Sequence, residues 1–174
     1  MKPSSDVAFS EAVKRVQTER GSRAAYAKVE SRGGFRVEID DELRDFLAEI
    51  DTAFLATASA AGQPYVQHRG GEKGFLRAID DHTIAFTELT GNRQYVTAGN
   101  LTENDRICLL VMDYAHRRRV KVWGTARMVD GEMRITVAAW DINCPQHIPQ
   151  KVDAAEAARV IAQLRARIAE LEAR

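Results

Sequence analysis

From Thr52 onward the sequence changes period, and a succession of short alternating runs separated by turns constrains the fold more than any other feature. Residues 52–59 (TAFLATAS) and 64–69 are strand-like runs around the turn AAGQ, which predicts a hairpin. A second hairpin is expected from 75–79 and 83–88, with Asp80, Asp81 and His82 at its turn. Residues 106–114 (RICLLVMDY) are the most apolar run and read as a central strand. The basic turn at 116–119 (HRRR) leads into 120–129, where Val120, Val122 and Gly124 alternate with Lys121, Trp123 and Thr125; residues 133–140 read as a sixth strand. Neighbours joined by short turns pair antiparallel, so an antiparallel barrel is favoured over a parallel sheet.

Helices are expected around this β region. Residues 7–29 repeat apolar positions at Phe9, Val13 and Val16, are interrupted at Gly21-Ser22, and resume the face at Ala25 and Val29. A short helix after Asp40 is better marked. Asp40 suits the N-cap, Asp41 and Glu42 the first turn, and Leu43, Phe46, Leu47 and Ile50 form one stripe. Asn92 is the expected cap of a third helix over 92–101. In the tail, 153–174, Ile161, Leu164, Ile168 and Leu171 keep the 3-4-3 spacing of a short coiled-coil seam. Two heptads are too few to dimerise alone, so the plain expectation is a helix packed on its own domain. The chain reads as one domain over 1–174: a helical part at 1–50, the barrel at 52–143 and the C-terminal helix at 153–174.

Composition excludes several classes. Lysine plus arginine equals aspartate plus glutamate, 25 each, so nucleic-acid binding would need a local basic patch. No apolar run approaches a membrane span, and the first residues lead into no signal-peptide core. Two cysteines, Cys108 and Cys144, suggest a reducing compartment, and a cytoplasmic location is expected.

Two short motifs carry the chemistry. Residues 64–71 (PYVQHRGG) and 91–94 (GNRQ) each set an arginine, Arg69 or Arg93, beside glycine at the end of an apolar run. Paired guanidiniums make a fork for a phosphate, and glycines let a ligand approach the main chain. A site for a phosphorylated, flat cofactor follows; the alternative is a strand–turn–strand with solvated arginines. A third segment, 140–149 (WDINCPQHIP), is stiffened by Pro145 and Pro149 and carries Asn143, Gln146 and His147. Cys144 and His147 share a half-site spacing, but a closed zinc site needs four ligands, so no metal is expected and the segment reads as a rigid polar lid. Trp123 and Trp140 are large apolar anchors first and ring-stacking candidates second.

Taken in order, 67–71 (QHRGG) with Gly74-Phe75, 91–94 with 99–101 (GNL), and 140–149 resemble the flavin-nucleotide-binding proteins related to pyridoxamine 5′-phosphate oxidase. The resemblance covers nearly the whole chain, including 10–13 (SEAV) and 21–26 (GSRAAY). It implies a mainly β fold, a six-stranded antiparallel split β-barrel with flanking helices, dimerising with one FMN in each of two clefts between subunits. It also implies that Arg69 and Arg93 hold the FMN phosphate, with Lys73 as a weaker contact or a solvated loop lysine. Asn92 and Gln94 would add polar contacts. Gln67 and His68 would run along the isoalloxazine ring, and Gly70, Trp140, Asn143 and Gln146 would belong to the cofactor site as well. The turn at 130–132 is shorter than in many relatives, which weakens transfer of a substrate.

Three functions are compatible with these residues. The first is an FMN-dependent oxidoreductase acting on a small-molecule substrate or electron donor, with no nucleic acid and no membrane as partner. The second is a flavin carrier or sensor without turnover, and the third a split barrel binding haem or a deazaflavin. No catalytic acid, base or nucleophile stands out.

Overall fold

A computed structural model describes residues 2–89, 91–142 and 145–173. Among them the chain forms seven strands, five α-helices and a 3₁₀ turn at Ser4–Val7. The N-terminal pattern resolves into two helices, α1 (Glu11–Glu19) and α2 (Arg23–Glu30). The break falls at Gly21, whose φ of +79° suits glycine. In α3 (Asp41–Ala48), Asp40 accepts a hydrogen bond from the Leu43 amide at 3.0 Å. The stripe of Leu43, Phe46 and Leu47 is buried, as the apolar spacing predicts.

The strands are β1 (Thr52–Ala58), β2 (Pro64–Gly70), β3 (Arg77–Ala78), β4 (Thr83–Thr87), β5 (Arg106–Asp113), β6 (Arg118–Val129) and β7 (Glu132–Ile142). Helix α4 (Val96–Glu103) follows β4, and α5 (Ala154–Glu172) ends the described chain. All pairings are antiparallel, in one open sheet ordered β2-β1-β5-β6-β7-β4-β3. The count of six is therefore corrected to seven. The run at 75–79 contributes a strand of only two residues, because Phe75 and Leu76 turn inward to pack instead of pairing.

One face of the sheet closes on the core. Leu55, Leu109, Val122, Ile135 and Ile84, from five different strands, are all fully buried there, and α3 caps one end. The sheet curls until its ends meet through side chains. Arg69 on β2 and Glu88 just past β4 are first and sixth in the order, yet their charged groups lie 3.0 Å apart. The curl is sharpened between Trp123 and Gly124, where the β6–β7 register shifts. A Cβ on Gly124 would lie 2.0 Å from the Thr136 carbonyl oxygen, so only glycine fits that approach.

A segment between α2 and α3 straps the end of β7. Trp140 donates its backbone amide to Arg36 O (2.8 Å) and its indole N–H to Glu38 O (2.7 Å). Among the described residues no helix is long and apolar enough to cross a membrane.

Candidate functional site

A cleft of about 240 Å³ opens between β2, the loop after β4, the start of α4 and the β6–β7 hairpin. Alternation along β2 turns Gln67 and Arg69 toward it and Val66 and His68 away. The Thr97 hydroxyl, in the first turn of α4, donates to Gln67 Oε1 at 2.8 Å and so fixes the amide facing the cleft.

The loop at 91–95 forms the opposite rim. Arg93 and Tyr95 adopt left-handed backbone at φ +60° and +54°, a conformation that costs energy for side-chain-bearing residues. Asn92 does not cap the helix. Its Oδ1 accepts from the Gln94 amide (3.2 Å), which bends the loop, and α4 begins four residues later than expected. Tyr95 is the actual N-cap and supplies no side-chain acceptor, so the amides of the first turn keep their donor capacity. Positive dipole, free donors and the exposed Arg93 guanidinium therefore converge at this rim, as anion binding requires.

Deeper in lies a charge pair that sequence spacing did not expose. Arg69, with only 9% of its side chain exposed, pairs with Glu88, a lining residue with 30% exposed. Arg69 thus stands behind Glu88, one contact from the cleft. Arg69 Nε and Nη2 and Glu88 Oε2 are buried without a hydrogen-bond partner. Buried polar atoms are ordinarily satisfied, so these three are spare hydrogen-bonding capacity beside the cleft. Met128 and Met133 supply an apolar wall. Leu89 and Tyr95, 65% and 68% exposed, stand at the mouth.

Of the expected site residues, the structure brings Gln67, Asn92, Arg93 and Gln94 together around the cleft. The others lie elsewhere. His68 bonds Thr52 Oγ1 through Nε2 (2.8 Å) on the other side of β2. A Cβ on Gly70 would lie 2.9 Å from the His68 ring, and one on Gly71 2.8 Å from Phe75, so the chain's own rings fill the space beside both. Trp140 is fully buried within β7, under the Arg36 guanidinium (4.7 Å), rather than at the start of a lid. Lys73 pairs with Glu49 (3.3 Å). Asn143 and Cys144 lie outside the described residues. Gln146 belongs to a turn closed by Ile148 N–H to Pro145 O (3.1 Å) and pinned to the β5–β6 turn, where Arg117 Nε donates to Ile148 O (3.2 Å). That turn and the cleft hairpin are at opposite ends of β6, whose 12 residues span roughly 35 Å of strand. Within one chain, Gln146 does not reach this cleft.

Outside the cleft, burial pushes the Cys108 thiol up, against a weaker opposing pull from Lys121, which keeps it protonated near neutral pH. Among the described residues no group of three or more His, Cys, Asp or Glu could hold a metal ion.

The family model for pyridoxamine 5′-phosphate oxidase matches residues 39–168, from the approach to α3 into α5. The chain belongs to that family. Among solved structures, HupZ from Group A Streptococcus is 22% identical, at a TM-score of 0.49, over 66% of this chain and 99% of that one. The haem storage protein HutZ from Vibrio cholerae is 15% identical, at 0.41, over 60% and 94%. A Clostridium acetobutylicum protein of the pyridoxinephosphate oxidase family, related to general stress protein 26, is 14% identical, at 0.43, over 66% and 94%. No curated protein matches.

Pyridoxamine phosphate oxidase relatives typically bind flavins, and the donor set here fits one. Phosphate needs charge and amides, which the Arg93 rim offers. The polar edge of a flat ring needs both donors and acceptors, which the lining residues Gln67 and Glu88 offer.

Proposed function

We propose that the chain is an FMN-binding oxidoreductase whose flavin lies in this cleft. The supporting observation is the convergence of Arg93 with the uncapped start of α4 on one rim. Arg93 would hold the phosphate by charge-assisted hydrogen bonds, and the first α4 amides would complete the cradle. Gln67, fixed by Thr97, would orient the ring from β2. Arg69 is committed to Glu88, so it acts behind the ring's polar edge and not as the second phosphate fork expected from its Arg–Gly motif. Met128 and Met133 exclude water from one side. When bound, FMN would supply electron transfer between a reductant and an acceptor.

At about 240 Å³ the cleft is smaller than the ~300–1,000 Å³ of typical ligand pockets. Exposed Leu89 and Tyr95 at its mouth call for a cover. In this reading a second copy of the chain provides it, with the Pro145–Ile148 turn of one subunit serving the flavin of the other.

Arg93→Ala tests the assignment. Losing a charge-assisted contact of about 1.5–3 kcal/mol lowers FMN affinity by roughly one to two decades and leaves riboflavin affinity unchanged. Fluorescence titration reads both. An unchanged FMN affinity overturns the assignment of the phosphate to this rim.

A further inference from the structure

Helix α5 is the largest element that buries none of its residues. It is properly started, with Asp153 Oδ1 accepting from the Glu156 amide at 2.9 Å. Its root is tied to the β5–β6 turn, where the Lys151 amide donates to Tyr114 O (3.2 Å) and its ammonium sits 4.0 Å from the Tyr114 ring centroid. Yet Ile161, Leu164, Ile168 and Leu171 remain 49–59% exposed, so the helix does not pack on its own domain as the plain sequence expectation had it.

The seam is narrow. With Ile161 and Ile168 at positions a, and Leu164 and Leu171 at d, the flanking e and g positions carry Arg165, Arg167 and Glu172, with Val160 the one apolar neighbour. A helix laid on a globular surface shows a wider stripe, whereas a strict a/d seam suits another helix. β-branched residues at a with leucine at d favour two strands in parallel. Charge selects the same orientation. In a parallel pair, Arg167 at g faces Glu172 at e of the other helix, while an antiparallel pair would set Arg167 against Arg167 and Arg165 against Arg165. Within one copy Arg167 is held by Glu170 at 2.7 Å, an exposed contact that leaves guanidinium donors for a second carboxylate.

We infer that α5 pairs with α5 of a second copy as a short parallel coiled coil. Two heptads are too short to associate unaided, so the pairing rests on the proposed association of two copies through their β regions, which sets the local concentration. It stands independently of whether the cleft binds flavin.

Cysteine scanning in the full chain tests the geometry. Leu164→Cys lies at d, where a parallel pair brings like positions together, and Gln163→Cys lies on the outer face. Mild oxidation followed by peptide mapping is expected to give a 164–164 disulfide at least about tenfold faster than a 163–163 one. Equal rates, or no 164–164 link, overturn the proposal. Ile168→Asp is the second arm. It is expected to raise the dimer dissociation constant about tenfold or more by sedimentation equilibrium, while the thermal unfolding of the β region stays in place. An unchanged dissociation constant also overturns it.

Discussion

The Arg69–Glu88 pair makes the most specific energetic prediction. Glu88→Ala leaves a guanidinium with 9% of its side chain exposed and no carboxylate, 5.9 Å from the Phe86 ring centroid. Stranding one member of a buried pair costs about 3–5 kcal/mol, and the 30% exposure of Glu88 places the value near the lower end, about 3 kcal/mol. The reverse variant, Arg69→Met, strands a carboxylate that can still take water, and about 1–2 kcal/mol is expected. Arg69→Met/Glu88→Ala removes both charges and should cost only about 1 kcal/mol, because no charge is left buried. The cycle therefore predicts a coupling of about 3 kcal/mol. Urea unfolding of the flavin-free protein reads it directly. With a slope of about 1–3 kcal/mol per molar, Glu88→Ala shifts the midpoint by roughly 1–3 M. Additive losses, or a Glu88→Ala cost below about 1 kcal/mol, would show that Arg69 is free to serve a phosphate and that the pair does not hold the two ends of the sheet together.

Two further outcomes follow from the fold. Gly124→Ala forces a methyl to 2.0 Å from the Thr136 carbonyl oxygen, so the β6–β7 irregularity must shift. About 3 kcal/mol of stability should be lost, a fall of roughly 6–12 °C in thermal midpoint. Asp113 carries a pH signature. Burial alone would raise its pKa, but the His116 amide (3.0 Å) and Arg118 (2.9 Å) outweigh it and hold the carboxyl below its usual range. A depressed folded pKa contributes stability fully present above the unfolded value, about 3.9, and lost as pH falls through the folded value. The stability gap between wild type and Asp113→Asn should thus be wide at pH 7 and narrow below about pH 4 in urea titrations. A gap independent of pH would contradict the assignment.

Much of the β region was legible because its signals are local. The hairpin turn after β1 and the alternation of Val120, Val122 and Lys121 along β6 need no knowledge of the rest of the chain. Asp40 was equally readable, since a cap depends on residues within one turn. What was hidden depends on the curl of the sheet. Glu88 looks like an ordinary strand end until β2 and β4 meet, and then it takes the arginine that spacing had assigned to phosphate. Thr97 was missed because its role exists only opposite Gln67. Trp140 was placed at the cofactor by its motif, but β7 runs on to Ile142, and the Arg36–Glu38 strap buries the indole. The start of α4 was misplaced because the Asn92 side chain closes a local turn, which competes with capping.

In the proposed reading, the cleft selects a flavin by its terminal phosphate. Titrating the flavin-free protein with FMN and with riboflavin, by quenching of flavin fluorescence, tests it most directly. The Arg93 rim and the first amides of α4 predict saturation at one FMN per chain and an affinity at least about one to two decades above that for riboflavin. Equal affinities, or no binding of FMN, would contradict it.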